Sequence, residues 1–509
     1  MRPKADGCAM LAVGALLMLA HPVAPLLREP YWLDESWVVL ATKARLADLP
    51  LVTSSTPLGW TFLVWLLPPA GQVQRLVPWL FLAVSAVAAY GVARLLGWTR
   101  RTTAVTAGLG AAAAVLLLPA QQQRHDLKQY TADAAVGLLL VLLLAWAERS
   151  WSPRRLAAAG AATVLGMLFS HAAALVGAAV LAAMLGAALW SRQRARQLHA
   201  VAVTGLAGLG MAAVYLTVDR ANRNESLVGY WDGYFPAVAD LPQYLRLRLD
   251  ELQPALGVPW PILVLLAGAG VATVAWRRRP ATAAALALLP VIAVAAGVTR
   301  SYPLLDLRTS HFLLVLWVAT AAIGLVGAAD LLAGLLEGRL RRPWAAAVAA
   351  AVVAVAVAGY AVANRTEVWQ QSRVNAADED VRAQVRYVAG HRGPGDVVLV
   401  NMSGQYGFAY YWPANRPQFV RGGVQATGWY VRYRPEDRII VAADRDHRGI
   451  VGALDEARRL AGPGGRVWLV RSHVQPAEAA LWHEALAGWH ADVVTVGPEP
   501  VALLVPPSP

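Results

Sequence analysis

The sequence predicts an α-helical polytopic membrane protein with about eleven transmembrane helices and a small C-terminal α/β soluble domain. Three observations carry that prediction. Of 509 residues, 57% are hydrophobic and only 15% charged, more apolar than a soluble domain is. About eleven apolar runs are long enough to cross a hydrocarbon core. From Asn364 onward the composition turns mixed and charged, and helix-like stretches alternate with short apolar strands, the pattern of an α/β domain.

The runs lie at about 8–27, 76–97, 103–119, 130–147, 156–172, 173–190, 199–217, 257–276, 281–298, 311–329 and 343–363. The first follows Arg2 and Lys4. It is long enough to span and no small-residue cleavage site follows it, so it reads as an uncleaved helix. The apolar stretch from Pro57 to Pro69 is short and bracketed by Pro57, Pro68 and Pro69. It is expected to lie at the interface or to re-enter, not to span.

Charge sets the orientation. With the N-terminus cytoplasmic, the inner loops hold Arg94/Arg100/Arg101, Arg149/Arg154/Arg155, Arg192/Arg194/Arg196, Arg277/Arg278/Arg279 and Arg339/Arg341/Arg342, as the positive-inside rule asks. Two basic flanks around 156–190 require two helices there, with an outer turn near Ser170 and His171. The outer loops are then 28–75, 120–129, 218–256 and 299–310. A transmembrane domain over 1–363 precedes an extracytoplasmic domain over 364–509, in a multi-pass protein of the cytoplasmic (inner) membrane. The net charge of +13 is explained by these arginine clusters, so no nucleic acid is implied. Cys8 is the only cysteine, which excludes an intrachain disulfide and a cysteine zinc site.

In the tail, Glu379 to His391 reads as a helix leading through Gly393-Pro394-Gly395-Asp396 to the strand Val397–Val400. Ile450 to Leu460 and Pro476 to Trp489 read as helices, and Gly465–Val470, Val493–Val496 and Val501–Val505 as strands. No G-x-G-x-x-G follows the first strand, so dinucleotide binding is not indicated. The domain is either a stabilising cap or a module that binds an acceptor or partner.

The candidate chemistry lies in the outer loops. Tyr31-Trp32-Leu33-Asp34-Glu35-Ser36-Trp37 follows the first span. Aromatics suit a membrane–water interface, and two acids beside a helix end are either a solvated pair or a functional site. Arg124, His125, Asp126, Lys128 and Tyr130 open a later span. If the helix starts there, Arg124 and Lys128 share a face, neutralised by Asp126 or by a bound phosphate. Arg300 and Arg308 flank Asp306 in a third loop. They either cap and snorkel or grip phosphate as bidentate forks. His21 and His171 read as structural. Tyr230 to Phe235 suits an interfacial aromatic platform or a plain anchor, and Leu241 to Leu256 an amphipathic surface helix.

With these residues in place the chain resembles the GT-C superfamily of membrane glycosyltransferases, in the branch of bacterial protein O-mannosyltransferases and the lipid A aminoarabinose transferase. The likeness is carried by Asp34-Glu35 after the first span, the stretch Thr56 to Leu67, the charged stretch Arg124 to Tyr130 and the soluble tail. Thr56-Pro57 stands where the family more often has His-Pro-Pro or Pro-Pro. The resemblance implies transfer of a hexosyl or pentosyl group from a polyprenyl-phosphate donor to an envelope acceptor (protein, lipid or polysaccharide), with inversion at the anomeric carbon. Asp34 would be the general base. Glu35 would position it, hold the acceptor or help bind a metal. Arg124, Lys128, Arg300 and Arg308 would neutralise the leaving phosphate, with His125 and Tyr130 as further substrate contacts. Membrane lipids would surround the donor tail. Some relatives use a divalent metal, and no cofactor is certain here. The competing readings are a transporter or lipid flippase and a non-catalytic membrane scaffold.

Overall fold

The computed structural model describes residues 3–220, 229–336, 342–370, 379–413, 417–423 and 427–506. Its contacts divide the chain into two compact units. One comprises Met1–Pro25, Arg75–Ala221 and Trp231–Val374. The other comprises Leu26–Gln74, Asn222–Tyr230 and Asn375–Pro509, so the segment after the first helix groups with the tail.

The first unit is a helical bundle, and each apolar run in the sequence is a helix. Val73–Arg94, Tyr130–Ala147, Ala173–Trp190, Arg194–Val218, Pro280–Val298 and His311–Leu336 are long and apolar enough to cross a membrane. Pro3–Ala20, Arg101–Leu116, Pro153–Gly166, Trp260–Trp276 and Arg342–Ala363 are helical as well. Leu241–Leu256 ends at Gly257, whose φ of 70° is left-handed. A Cβ at Gly257 would fall 2.4 Å from Asn364 Oδ1, and Asn364 Nδ2 donates to Gly257 O. A side chain is therefore excluded there on two counts. The chain turns by 85° at that point before Trp260–Trp276.

His311–Leu336 is the central helix, most of its residues buried, and it packs closely on Trp260–Trp276. A Cβ on Gly270 would sit 2.0 Å from Thr320 O, and one on Gly324 2.1 Å from Leu266 O. The core is Ala, Val and Leu almost throughout, whereas Leu198, Leu206, Leu209, Leu265, Trp190 and Trp276 face outward. That inversion is what a lipid solvent permits, since hydrocarbon is as apolar as leucine.

Polar groups gather at the helix ends, and they sort the basic clusters. Arg100 Nη1 donates to Asp330 Oδ1 at 2.8 Å, and Arg277 pairs with the other oxygen of the same carboxylate. Arg94 Nε reaches Asp6 at 2.9 Å. Glu148 accepts from Ala281 N at 2.8 Å, Arg155 from the first turn of the next helix lies over Trp146, and Arg196 lies over Trp151. Four of the basic clusters thus share one end of the bundle; Arg339 and Arg341 lie outside the described residues. At the opposite end His21 Nε2 is bonded to Leu116 O. There Asp133 Oδ1 also accepts from Ala172 N in the turn after Ser170. Both bonds are structural.

The second unit is built on a five-stranded sheet of order β4-β1-β5-β7-β6. Its strands are β1 (Val397–Val400), β4 (Ile439–Val441), β5 (Val467–Val470), β6 (His490–Val496) and β7 (Glu499–Val505), with a separate antiparallel hairpin of β2 (Gln418–Arg421) and β3 (Trp429–Arg432). β1 pairs in parallel with β4 and β5, and β7 runs antiparallel to β5 and β6. The central strands are buried on both faces, as parallel strands are. Val397 and Leu399 pack with His447–Ala461 and Trp482. Val398 and Val400 pack with Val381, Val385, Phe408 and Trp412. Leu58–Trp65, the stretch expected at the interface, is an eight-residue helix in this unit, too short to cross a bilayer.

Candidate active site

Asp34 and Glu35 open the short helix Leu33–Val39 in the second unit. Tyr31, just before it, is fully buried. Its amide donates to Tyr411 Oη at 2.8 Å and its hydroxyl to Gln74 Oε1 at 2.8 Å. Its ring meets that of Tyr410 edge-on at 5.4 Å. Tyr31 is thus anchored in the fold by its own side chain and amide. The helix itself packs on Gln405–Tyr411, where a Cβ on Gly407 would sit 3.3 Å from Ser36 Oγ.

The two acids differ. Glu35 is fully buried, and its Oε2 accepts from Trp32 N at 3.4 Å, the return bond of a capped helix start. Asp34 is half-buried, so it is the member of the pair open to solvent. A third carboxylate completes the turn: Glu379 Oε2 accepts from Leu33 N at 2.9 Å, and its Oε1 lies 2.5 Å from His473 Nδ1. The His473 amide donates to Glu499 Oε1 at 3.1 Å. The hydrogen bond to Glu379, and its charge, raise the pKa of His473 above its usual value, with the Asp34 charge contributing in the same direction. Burial pushes the Glu499 carboxyl up to about 7.

Arg124, Lys128, Tyr130, Arg300 and Arg308 belong to the first unit. Arg124 lies in the 3₁₀ turn Pro119–His125, 2% exposed, with Lys128 at 3% and Asp126 at 7%. Arg124 Nη1 donates to Gln121 O at 2.9 Å. The shared α-helical face expected of Arg124 and Lys128 does not form. Asp126 is extended (φ −90°, ψ 128°) and the span begins only at Tyr130. The side chain of His125 lies outside the described residues. Arg300 is exposed, pairs with Asp232 and covers the Phe235 ring at 4.9 Å. Its loop is tied down where Leu304 N donates to Tyr234 O at 3.0 Å and Tyr244 Oη to Leu304 O at 2.6 Å. Arg308, half-buried, donates its amide to Asp306 Oδ2 at 3.0 Å. Among the described residues no three His, Cys, Asp or Glu side chains are grouped to hold a metal ion.

The bundle and the α/β unit give the chain the fold of a multi-pass membrane protein with a C-terminal α/β unit, and solved structures share that fold. Among solved structures it is similar to ArnT from Cupriavidus metallidurans in the apo state, at TM-score 0.54 and 14% identity over 99% of this chain and 98% of that one. It is also similar to the Archaeoglobus fulgidus oligosaccharyltransferase in complex with Zn and sulfate, at TM-score 0.55 and 11% identity over 96% and 72%. A third is AglB from the same organism, in complex with an inhibitory peptide and a dolichol-phosphate, at TM-score 0.54 and 10% identity over 96% and 72%. No family model matches the sequence, and no curated protein matches it.

Proposed function

We propose that the chain is a membrane glycosyltransferase that moves a sugar from a polyprenyl-phosphate donor to an acceptor hydroxyl at the extracytoplasmic surface. The observation that carries this is the pairing of a GT-C fold along the whole chain with a half-buried carboxylate, Asp34, beside a fully buried one, Glu35. Asp34 takes the acceptor hydroxyl proton as the acceptor oxygen bonds to the anomeric carbon. The bond from that carbon to the phosphate oxygen breaks, and the leaving polyprenyl phosphate keeps the electron pair. A single displacement of this kind inverts the anomeric centre. Glu35 orients the helix start through the Trp32 amide. Arg124, Lys128, Arg300 and Arg308 neutralise the leaving phosphate, a preorganised electrostatic role, and Tyr130 and His125 line the donor.

Asp34→Asn tests the base assignment. Transfer from undecaprenyl-phosphate-linked mannose, glucose or arabinose, measured in nanodiscs with the full chain, is expected to fall by about 10²–10⁴-fold while the protein stays folded in the membrane. Full activity in that variant removes Asp34 as the base. Lipid translocation with no acceptor-dependent product supports a flippase instead.

A further inference from the structure

The carboxyl ends of β1 and β5 are where an open α/β sheet ordinarily receives a ligand. In this unit, that edge is occupied by the chain itself. Asn401, directly after β1, accepts through Oδ1 from Gly404 N and Ser472 N, each at 3.0 Å. Its Nδ2 donates to Ser472 O at 2.9 Å. The next residue, His473, is left-handed at φ 52°, a conformation that a non-glycine residue retains only where its surroundings enforce it. What enforces it is a closed ring of bonds. Glu499 accepts from the amides of His473 (3.1 Å) and Asp380 (3.3 Å). The His473 ring is bonded to Glu379, the neighbour of Asp380. Glu379 spends its remaining oxygen on the Leu33 amide, one residue before Asp34.

We propose that Glu379 and His473 are positioning residues for Asp34: the C-terminal domain sets the direction of the proposed base by holding the first amide of its helix. This rests on the reading of Asp34 as the base. A hydrogen bond to Leu33 N fixes the backbone from which Asp34 projects, and an error of an ångström at a reacting group costs about 10²-fold in rate. His473 in turn fixes the carboxylate plane of Glu379, which otherwise rotates about a flexible stem. The charged groups facing His473 are Glu379, Arg445 and Asp34, with Glu499 at its amide.

The experiment has two arms on the full chain in nanodiscs. The first is amide hydrogen exchange over residues 33–37. Glu379→Ala is expected to raise exchange there about 10-fold or more, with β1 and β5 unchanged. Glu379→Gln, which keeps an acceptor oxygen, is expected to stay near wild type. The second arm is release of undecaprenyl phosphate from the mannose, glucose and arabinose donors. Glu379→Ala is expected to lower kcat about 10²-fold at unchanged KM, with Glu379→Gln recovering at least tenfold of that. His473→Asn, which tolerates the left-handed backbone, is expected to fall between the two and serves if Glu379→Ala does not fold. Unchanged exchange at residues 33–37, equal effects of Ala and Gln, or a change confined to KM overturns the proposal. Should Asp34→Asn turn over normally, the base reading fails and the exchange arm still decides the anchoring. If Asp34→Asn is inactive while Glu379→Ala keeps its kcat, only the positioning role falls.

Discussion

The bundle and the α/β unit bury comparable chemistry in opposite ways. In the helical unit the interior is mostly Ala, Val and Leu, with glycines at close helix approaches, and polar groups are pushed to the ends, where Asp330 and Glu148 collect arginines and amides. In the second unit the interior carries Tyr31, Tyr406, Tyr410, Phe408, Trp412 and Trp429. Polar ties run through its middle, from Gln405 Oε1 to Val431 N at 2.8 Å and from Gln384 Nε2 to Arg471 O at 2.9 Å. Helices facing lipid satisfy their backbones internally and gain cohesion only by close approach. A unit that assembles distant loops needs specific side-chain bonds to hold them in register. The lesson is that the helical unit is sensitive to volume and the sheet unit to charge.

The sharpest way to break the first half of that contrast is Gly324→Val. Its Cβ would meet Leu266 O at 2.1 Å and Gly270 N at 2.6 Å, backbone atoms that cannot move aside. The expected loss is about 3 kcal/mol or more, read as a collapse of the thermal transition in detergent. Gly334→Ala, with no atom within 4 Å of its Cβ, is the control on the same helix and is expected to be neutral or slightly stabilising.

Next in size is Asp330→Ala, which leaves Arg100 and Arg277 without their shared carboxylate, 8% exposed. Breaking a buried pair from one side costs about 3–5 kcal/mol. Asp330→Asn, which keeps an acceptor oxygen, is expected to cost less. If both variants unfold like wild type, Asp330 is no exception to a volume-ruled bundle.

The smallest effect belongs to the sheet unit and is a matter of pH. Glu499 has its folded pKa raised to about 7 from 4.5 by burial, so folding favours its protonated form. That stabilisation declines as pH climbs from about 4.5 to about 7. His473 has its folded pKa raised by Glu379. Its contribution is complete below its ordinary value near 6.5 and is lost as pH rises through the higher folded value. Both act in the same direction. Exchange at residues 379–391 and 467–473, corrected for intrinsic rates, is expected to rise between about pH 6 and pH 8. Glu499→Gln flattens the lower part of that rise and His473→Asn the upper. A pH-independent profile in the wild type removes charge as the determinant of this unit.

Much of this architecture is legible in one dimension. Each apolar run is a helix, and six of the helices are long and apolar enough to cross a membrane, because the length of hydrocarbon to be crossed is written directly into residue counts. The strands Val397–Val400 and Val467–Val470 show as short β-branched runs between turn residues. Asp34 is conspicuous because a pair of acids beside a membrane helix is costly without purpose. Other features leave no local trace. Arg124 and Lys128 stand four apart as if on one helix, yet the extended backbone at Asp126 separates them. The β2–β3 hairpin is too mixed to declare itself, and β4, at three residues, is too short.

Glu379 and His473 are the clearest case of what only the tertiary structure decided. Glu379 reads as an ordinary acid before a helix and His473 as a loop histidine. They lie 94 residues apart, and Glu379 is 346 residues from the amide it holds. By itself the sequence determined which segments avoid water, which strands are apolar throughout, and at which end of the bundle the arginines collect, because transfer free energies act residue by residue. Which loops share a unit, which of two adjacent acids stays open to solvent, and what aims it depend on hydrogen bonds between groups brought together only after the chain has folded, and no local pattern encodes that meeting.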